Sequence, residues 1–158
     1  MGRLDGKVAI ITGAARGQGE CEARLFVSEG ARVVLGDVLE EEGRKVAAEL
    51  GEAATFLRMD VRSESDWAAA VRAAAGFGPL NVLVNNAAIT HFASIEGTSL
   101  ADYQRVIGIN QVGTFLGMRA VIAPMKAAGG GSIINVSSID GLQAKNGLVA
   151  YAASKWAI

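Results

Sequence analysis

Apolar positions in this chain fall into short, nearly unbroken runs separated by longer stretches with helical periodicity. Val8-Ala9-Ile10-Ile11, Arg32-Val33-Val34-Leu35, Thr55-Phe56-Leu57-Arg58-Met59, Asn81-Val82-Leu83-Val84 and Ser132-Ile133-Ile134-Asn135-Val136 are the β-rich runs. Runs this short and this apolar predict strands buried on both faces. Between them, Glu20 to Glu29 predicts a helix with Cys21, Leu25 and Phe26 on one side. Glu40 to Leu50 places Val46 and Leu50 at i and i+4 behind an acidic first turn. Glu64 to Ala75 is mostly alanine, with Ser63 as its N-cap. A loop over 89–98 leads to a long helix from about Leu100 to Ala128, capped by Thr98 or Ser99 and stopped by Gly129-Gly130-Gly131. After the fifth strand, 141–147 reads as loop and a last helix begins near Leu148.

Strands alternating with helices predict an α/β fold: a Rossmann-type, doubly wound parallel sheet with helices on both faces. Right-handed crossovers put ligands at the carboxyl ends of the strands. Asp37, Asp60, Asn86 and Ser138 all fall at or just past strand ends, so this topology gathers them on one rim. The length suits one domain over residues 1–158, large enough to bury a core.

Composition narrows the partners. A formal net charge of −1 gives no electrostatic reason to expect nucleic acid or an anionic membrane. The single cysteine, Cys21, excludes an intrachain disulfide and reads as a buried small residue, which suits the cytoplasm. No secretory signal is visible at the N-terminus. The longest apolar run, Val112 to Met125, contains Arg119 and Pro124 and is too short to cross a bilayer.

Candidate chemistry lies at both ends. Between the first strand and the first helix runs Thr12-Gly13-Ala14-Ala15-Arg16-Gly17-Gln18-Gly19. A glycine turn opening a helix is an anion site, because free N–H groups and the helix dipole point at whatever sits over the loop. Its spacing, Gly13-x-x-x-Gly17-x-Gly19, is not the usual G-x-G-x-x-G of dinucleotide sites. Asp37, ending the second strand, is placed to accept both ribose hydroxyls of an adenosine and to repel a 2′-phosphate, favouring NAD over NADP. Arg16 is the counter-signal, a cation able to pair with that phosphate. Asp60-Val61 falls where an adenine edge would lie.

At the far end, Tyr151-Ala152-Ala153-Ser154-Lys155 sets a phenol and an ammonium one helical turn apart. A free tyrosine titrates near 10, and a neighbouring cation favours its phenolate, which suits acid–base work nearer neutral pH. Lys155 also has donors for ribose hydroxyls, and Ser138 could bond a substrate oxygen. His91 reads as an exposed loop histidine, while Gln143, Lys145 and Asn146 lie where a substrate would enter. No metal-ligand cluster stands out.

Together these residues resemble the N-terminal portion of a classical short-chain dehydrogenase/reductase, with motifs in the family's order over all 158 residues. Thr12-Gly-x-x-x-Gly17-x-Gly19 is that family's form of the glycine loop, and Asp60, Asn85-Asn86-Ala87-Ala88, Asn110, Ser138, Tyr151 and Lys155 fall on its motif positions. Ala88 stands where the family usually has glycine. Leu35-Gly36-Asp37-Val38, Gly130-Gly131-Ser132-Ile133 and Ser154-Lys155-Trp156 look most similar to bacterial NAD-dependent hydroxysteroid dehydrogenases of the 3α/20β type.

The resemblance implies cofactor contacts from Gly13, Arg16, Gly17, Gln18, Gly19, Asp37, Asp60, Val61, Asn86, Ala87, Ala88, Tyr151 and Lys155. It implies Tyr151 as proton donor and acceptor, Lys155 lowering its pKa, Ser138 holding the substrate oxygen and Asn110 supporting a relay water. It further implies NAD-dependent oxidation of a secondary alcohol, possible hydroxysteroid substrates and a homotetramer. Two other readings stay open: an NADP-dependent 3-oxoacyl reductase, and a dinucleotide-binding module without catalysis. The family's chain runs on beyond Lys155, so a sheet cut at its fifth strand is expected to leave an exposed edge, and this span alone to be poorly stable and inactive.

Overall fold

The computed structural model describes residues 2–143 and 145–158, so Ala144, within the loop expected at 141–147, lies outside the described residues. Five parallel strands form one sheet in the order β3-β2-β1-β4-β5: β1 (Val8–Thr12), β2 (Arg32–Asp37), β3 (Ala54–Arg58), β4 (Leu80–Asn85) and β5 (Ser132–Asn135). Their alternation with helices α1 (Gly17–Ser28), α2 (Glu40–Leu50), α3 (Glu64–Ala75), α4 (Leu100–Ile107), α5 (Gly113–Ala127) and α6 (Val149–Trp156) completes the expected Rossmann-type architecture. Two 3-10 turns, Gly51–Ala53 and Ile139–Gly141, follow α2 and β5.

All five residues of β1 are buried, because the central strand is covered on both faces. Ile10, Val34 and Leu83 face Trp67 of α3 and Leu116 and Val121 of α5. Ala9, Ile11, Val33 and Leu35 face Ala23 of α1 and Val46 of α2. Strict alternation breaks once. The β1–β4 register shifts at Val8/Ala9, so that Leu80 and Leu83 join the same face. At this bulge the side-chain Oδ1 of Asn81 accepts the Val8 N–H at 3.0 Å, satisfying a donor the ladder loses.

Both serine caps form. Ser63 accepts the Asp66 N–H at 3.2 Å, and Ser99, not Thr98, accepts the Asp102 N–H at 3.1 Å. The first helix departs from expectation. It begins at Gly17 rather than Glu20, and Gly19 must face the β1 turn because a Cβ there would lie on the Gly13 carbonyl. That phase turns Gly19 and Ala23 inward and leaves Cys21 exposed and Leu25 51% exposed, which corrects the reading of Cys21 as a core residue.

The long helix is one continuous 28-residue element, Leu100–Ala127, longer than its apolar run suggested and, by length and composition alone, able to cross a bilayer. Here it is a layer of the sandwich, with Val106, Leu116, Val121 and Met125 buried. A π turn over Gly108–Val112 interrupts its regular bonding and separates α4 from α5. On the sheet edge, β5 is half open: Ile134 is 43% exposed on the face that α1 and α2 cover elsewhere.

Candidate functional site

Because every strand is parallel, the carboxyl ends of all five lie on one rim. There the glycine loop, the end of β2, the β3–α3 loop and the β4 end enclose a cleft of about 560 Å³. Gly13, Arg16, Gly17 and Gln18 line one side. Asp37, Asp60 and Val61 line the next, and Asn86, Ala87 and Ala88 close the third. Gly19 lies behind this lining, packed on Gly13 and the Asn86 carboxamide.

Thr12, which the sequence reading left without a role of its own, organises the loop. It is buried; its Oγ1 donates to the Val84 carbonyl at 3.3 Å and accepts the N–H groups of Asn86 and Ala87, each at 3.1 Å. Asn86 answers by donating Nδ2 to the carbonyls of Thr12 (2.9 Å) and Gly13 (3.2 Å). The turn at Gly13 and the end of β4 are thereby one rigid unit. Gly13 and Gly17 have φ of +65° and +61°, conformations that side chains rarely adopt. A Cβ on Gly17 would meet nothing within 4 Å, so open space lies above the start of α1. Its N-cap Arg16 contributes no side-chain cap, leaving the helix N-terminus to a ligand.

Asp37 ties the loop to β2: Oδ2 accepts the Ala15 N–H at 3.0 Å and Oδ1 the Leu39 N–H at 3.1 Å. Each oxygen keeps a further lone pair for a ribose hydroxyl. Asp60 is already engaged. Its Oδ1 accepts Arg62 Nε at 3.0 Å and Oδ2 accepts Nε at 3.1 Å, and the Arg62 guanidinium holds its carboxyl below the usual aspartate range. Ala88 has negative φ, so a methyl fits without backbone strain where the family usually has glycine.

The second group of candidates stands apart from this cleft; Ser138, Tyr151 and Lys155 do not line it. Ser138 caps the 3-10 turn after β5, accepting the Asp140 N–H at 3.1 Å, and its own hydroxyl hydrogen remains available. Lys155 is 3% exposed, its Nζ lies 5.8 Å from the Tyr151 ring centroid and it donates to the Val136 carbonyl at 2.6 Å. Burial pushes the ammonium pKa below the ordinary lysine value. Ser137 fastens the same helix by donating to the Lys155 carbonyl at 2.9 Å.

Asn110 joins the two groups. It is fully buried in the π turn; Oδ1 accepts the Ile89 N–H and Nδ2 donates to the Ile89 carbonyl, both at 2.9 Å. Its other N–H reaches Ser154 Oγ at 2.9 Å, and Ser154 donates to the Tyr151 carbonyl at 2.7 Å. Ile89 lines the cleft, so a hydrogen-bonded path runs from the cleft wall to the Tyr151 helix. Ser154 escaped the sequence reading because it looked like a spacer within the Tyr-Lys motif.

His91 is not the exposed residue expected: its side chain is 23% exposed, with Nε2 3.9 Å from the Asp102 carboxylate. Gln143, Lys145 and Asn146 are exposed.

A parallel sheet whose first turn is a glycine loop, facing an acidic residue at the end of β2, is the architecture of dinucleotide-binding folds. The chain belongs to the short-chain dehydrogenase family: the family model described as short chain dehydrogenase matches residues 7–158. It is 51% identical to the 3-alpha-(or 20-beta)-hydroxysteroid dehydrogenase of Mycobacterium bovis, over 99% of this chain and 61% of that protein. It is 45% identical to the trans-4-hydroxycyclohexanecarboxylate dehydrogenase of Sinomonas cyclohexanicum, covering 99% and 64% of the two chains. With the cyclopentanol dehydrogenase of Comamonas testosteroni the identity is 44%, covering 100% and 65%. The chain thus spans about three-fifths of the length of these curated relatives. The family uses nicotinamide dinucleotides, and the two positive-φ glycines, the open space over Gly17 and the uncapped α1 fit one.

Proposed function

We propose that this chain is the cofactor-binding and proton-transfer part of an NAD(H)-dependent dehydrogenase acting on secondary alcohols or ketones. The observation that carries the reading is the Tyr151–Lys155 pair on one helix, linked through Ser154 and Asn110 to the wall of the glycine cleft. Gly13, Gly17 and the α1 N-terminus would hold the pyrophosphate, and Asp37 the adenosine ribose. The bound nicotinamide supplies or takes the hydride. Tyr151 gives a proton to the substrate oxygen in reduction and takes it back in oxidation. Ser138 donates its free hydroxyl hydrogen to that same oxygen. Lys155 spends one of its three N–H donors on Val136 and keeps two for ribose hydroxyls. Support for an alicyclic substrate comes from the relatives, named for a hydroxysteroid, a cyclohexanecarboxylate and cyclopentanol. Exposed Ile139 and Leu142 beside Ser138 add an apolar surface suited to such a ring. The same reading takes the protein to be a cytoplasmic homotetramer.

The test is Tyr151→Phe in the full-length protein. Turnover of a cyclic secondary alcohol should fall at least about a hundredfold, the range for loss of a positioned acid–base group, while NADH still binds. Near-wild-type turnover would refute the mechanism, and binding without turnover in the wild type would favour a non-catalytic module. Arg16 in the cleft lining favours a second reading, NADP dependence with a 3-oxoacyl substrate. Comparing NADH with NADPH decides it, since a strong NADPH preference contradicts the role given to Asp37.

A further inference from the structure

At the end of the cleft beyond Asp37, the Asp60 carboxylate is turned into a clamp for Arg62. Besides both contacts to Nε, Asp60 accepts the Arg62 backbone N–H at 2.9 Å, and Nη2 reaches Oδ2. Three contacts to the guanidinium and one to the backbone fix the plane of the group. The aliphatic stem is supported as well, since a Cβ on Gly108 would lie 3.4 Å from Arg62 Cδ. Gly108 opens the π turn, so the stem rests where that helix leaves regular geometry. The Arg62 side chain nevertheless remains 50% exposed and lines the cleft beside Leu39 and Met59. A rigid, planar, half-open cation on a cleft wall that also carries Val38, Leu39 and Val61 suits an aromatic ring laid flat against it.

We propose that Arg62 is the stacking wall for the adenine ring, and that Asp60 acts there as its positioning residue. This rests on the nucleotide reading above, in which Asp37 takes the adenosine ribose and the purine lies next along the cleft. Ligands carrying adenine are then recognised whether or not they carry nicotinamide, so AMP occupies the same slot. Charge alone does not account for this arrangement. A lysine in the same place would keep the cation and lose the plane.

Fluorescence titration with NADH, followed by displacement with AMP, tests the assignment on the wild type, Arg62→Ala and Arg62→Lys. Both variants should bind NADH about five- to tenfold more weakly, as expected for loss of one base-stacking partner. AMP should lose affinity by the same factor, because only the adenine half is affected. Wild-type affinity in Arg62→Ala overturns the proposal. Wild-type affinity in Arg62→Lys also overturns it, by showing that charge and not stacking is used. A wild-type protein that binds neither NADH nor AMP removes the nucleotide reading itself, an outcome separate from a null effect confined to the variants.

Discussion

At the residue scale, the buried lysine has a cost that pH can read out. Lys155 is nearly inaccessible, and burial lowers its pKa, so the unfolded chain holds the lysine proton more tightly than the folded one. Its charge therefore penalises the fold in full below the folded pKa. The penalty is relieved as pH rises from there towards the ordinary lysine value. Wild-type stability should accordingly gain on Lys155→Met across that alkaline window, measured by urea unfolding at a series of pH values. A difference that stays constant with pH would show that Lys155 is not destabilised by burial. The motif carrying Tyr151 and Lys155 was legible in the sequence because i, i+4 spacing on a helix is a one-dimensional fact. The partners of these residues were not. Val136 and Ser137 meet Lys155 only because α6 folds back on the segment that follows β5, and Asn110 meets Ser154 across 44 positions of chain.

At the scale of elements, the glycine loop separates two kinds of glycine that look alike in sequence. Gly17 is required by its positive φ, with free space where a side chain would go. Gly19 is ordinary in backbone but pressed against the Gly13 carbonyl and the Asn86 carboxamide. Gly19→Ala should therefore cost about 1–3 kcal/mol of stability by overpacking against a backbone atom that cannot move away. It should also weaken NADH binding by displacing the loop. Thermal unfolding and NADH titration of Gly19→Ala check both, and a wild-type melting temperature would refute the packing argument. Strand and helix order were readable, since buried strands and amphipathic helices have different periods. The phase of α1 was not, because Leu25 and Phe26 outweighed a constraint that comes from the turn before the helix. The π turn was only hinted at: Gly108 and Asn110 are weak helix formers, compatible with a local kink, but the bonds from Asn110 to the distant Ile89 that accompany the unwinding cannot be read from the sequence.

At the scale of the whole molecule, parallel strands gather the cofactor residues without any one of them specifying the others. The rim follows from topology, which is why the sequence groups Asp37, Asp60, Asn86 and Ser138, although Ser138 does not line the cleft. The surface carries a further statement. Val112, at the end of the π turn, and Phe115 and Ile122 on α5 recur at helical spacing and are 42%, 53% and 45% exposed. Arg119 lies on the same stretch, over the Phe115 ring and paired with Glu64. The tetramer proposed above should use this face, so Phe115→Glu should shift sedimentation velocity towards smaller species. A monomeric wild type, or a tetramer indifferent to Phe115→Glu, would exclude that assembly.

The path from Ile89 through Asn110 to Ser154 has a dynamic consequence. Loop amides ordinarily exchange with solvent deuterium on the fast timescale of local fluctuations. The Ile89 N–H instead bonds to a fully buried carboxamide, so its release requires the joint between the cleft wall and the π turn to part. Deuterium uptake at this one amide would therefore record how often the cofactor cleft parts from the long helix that carries Asn110, rather than how freely the loop moves.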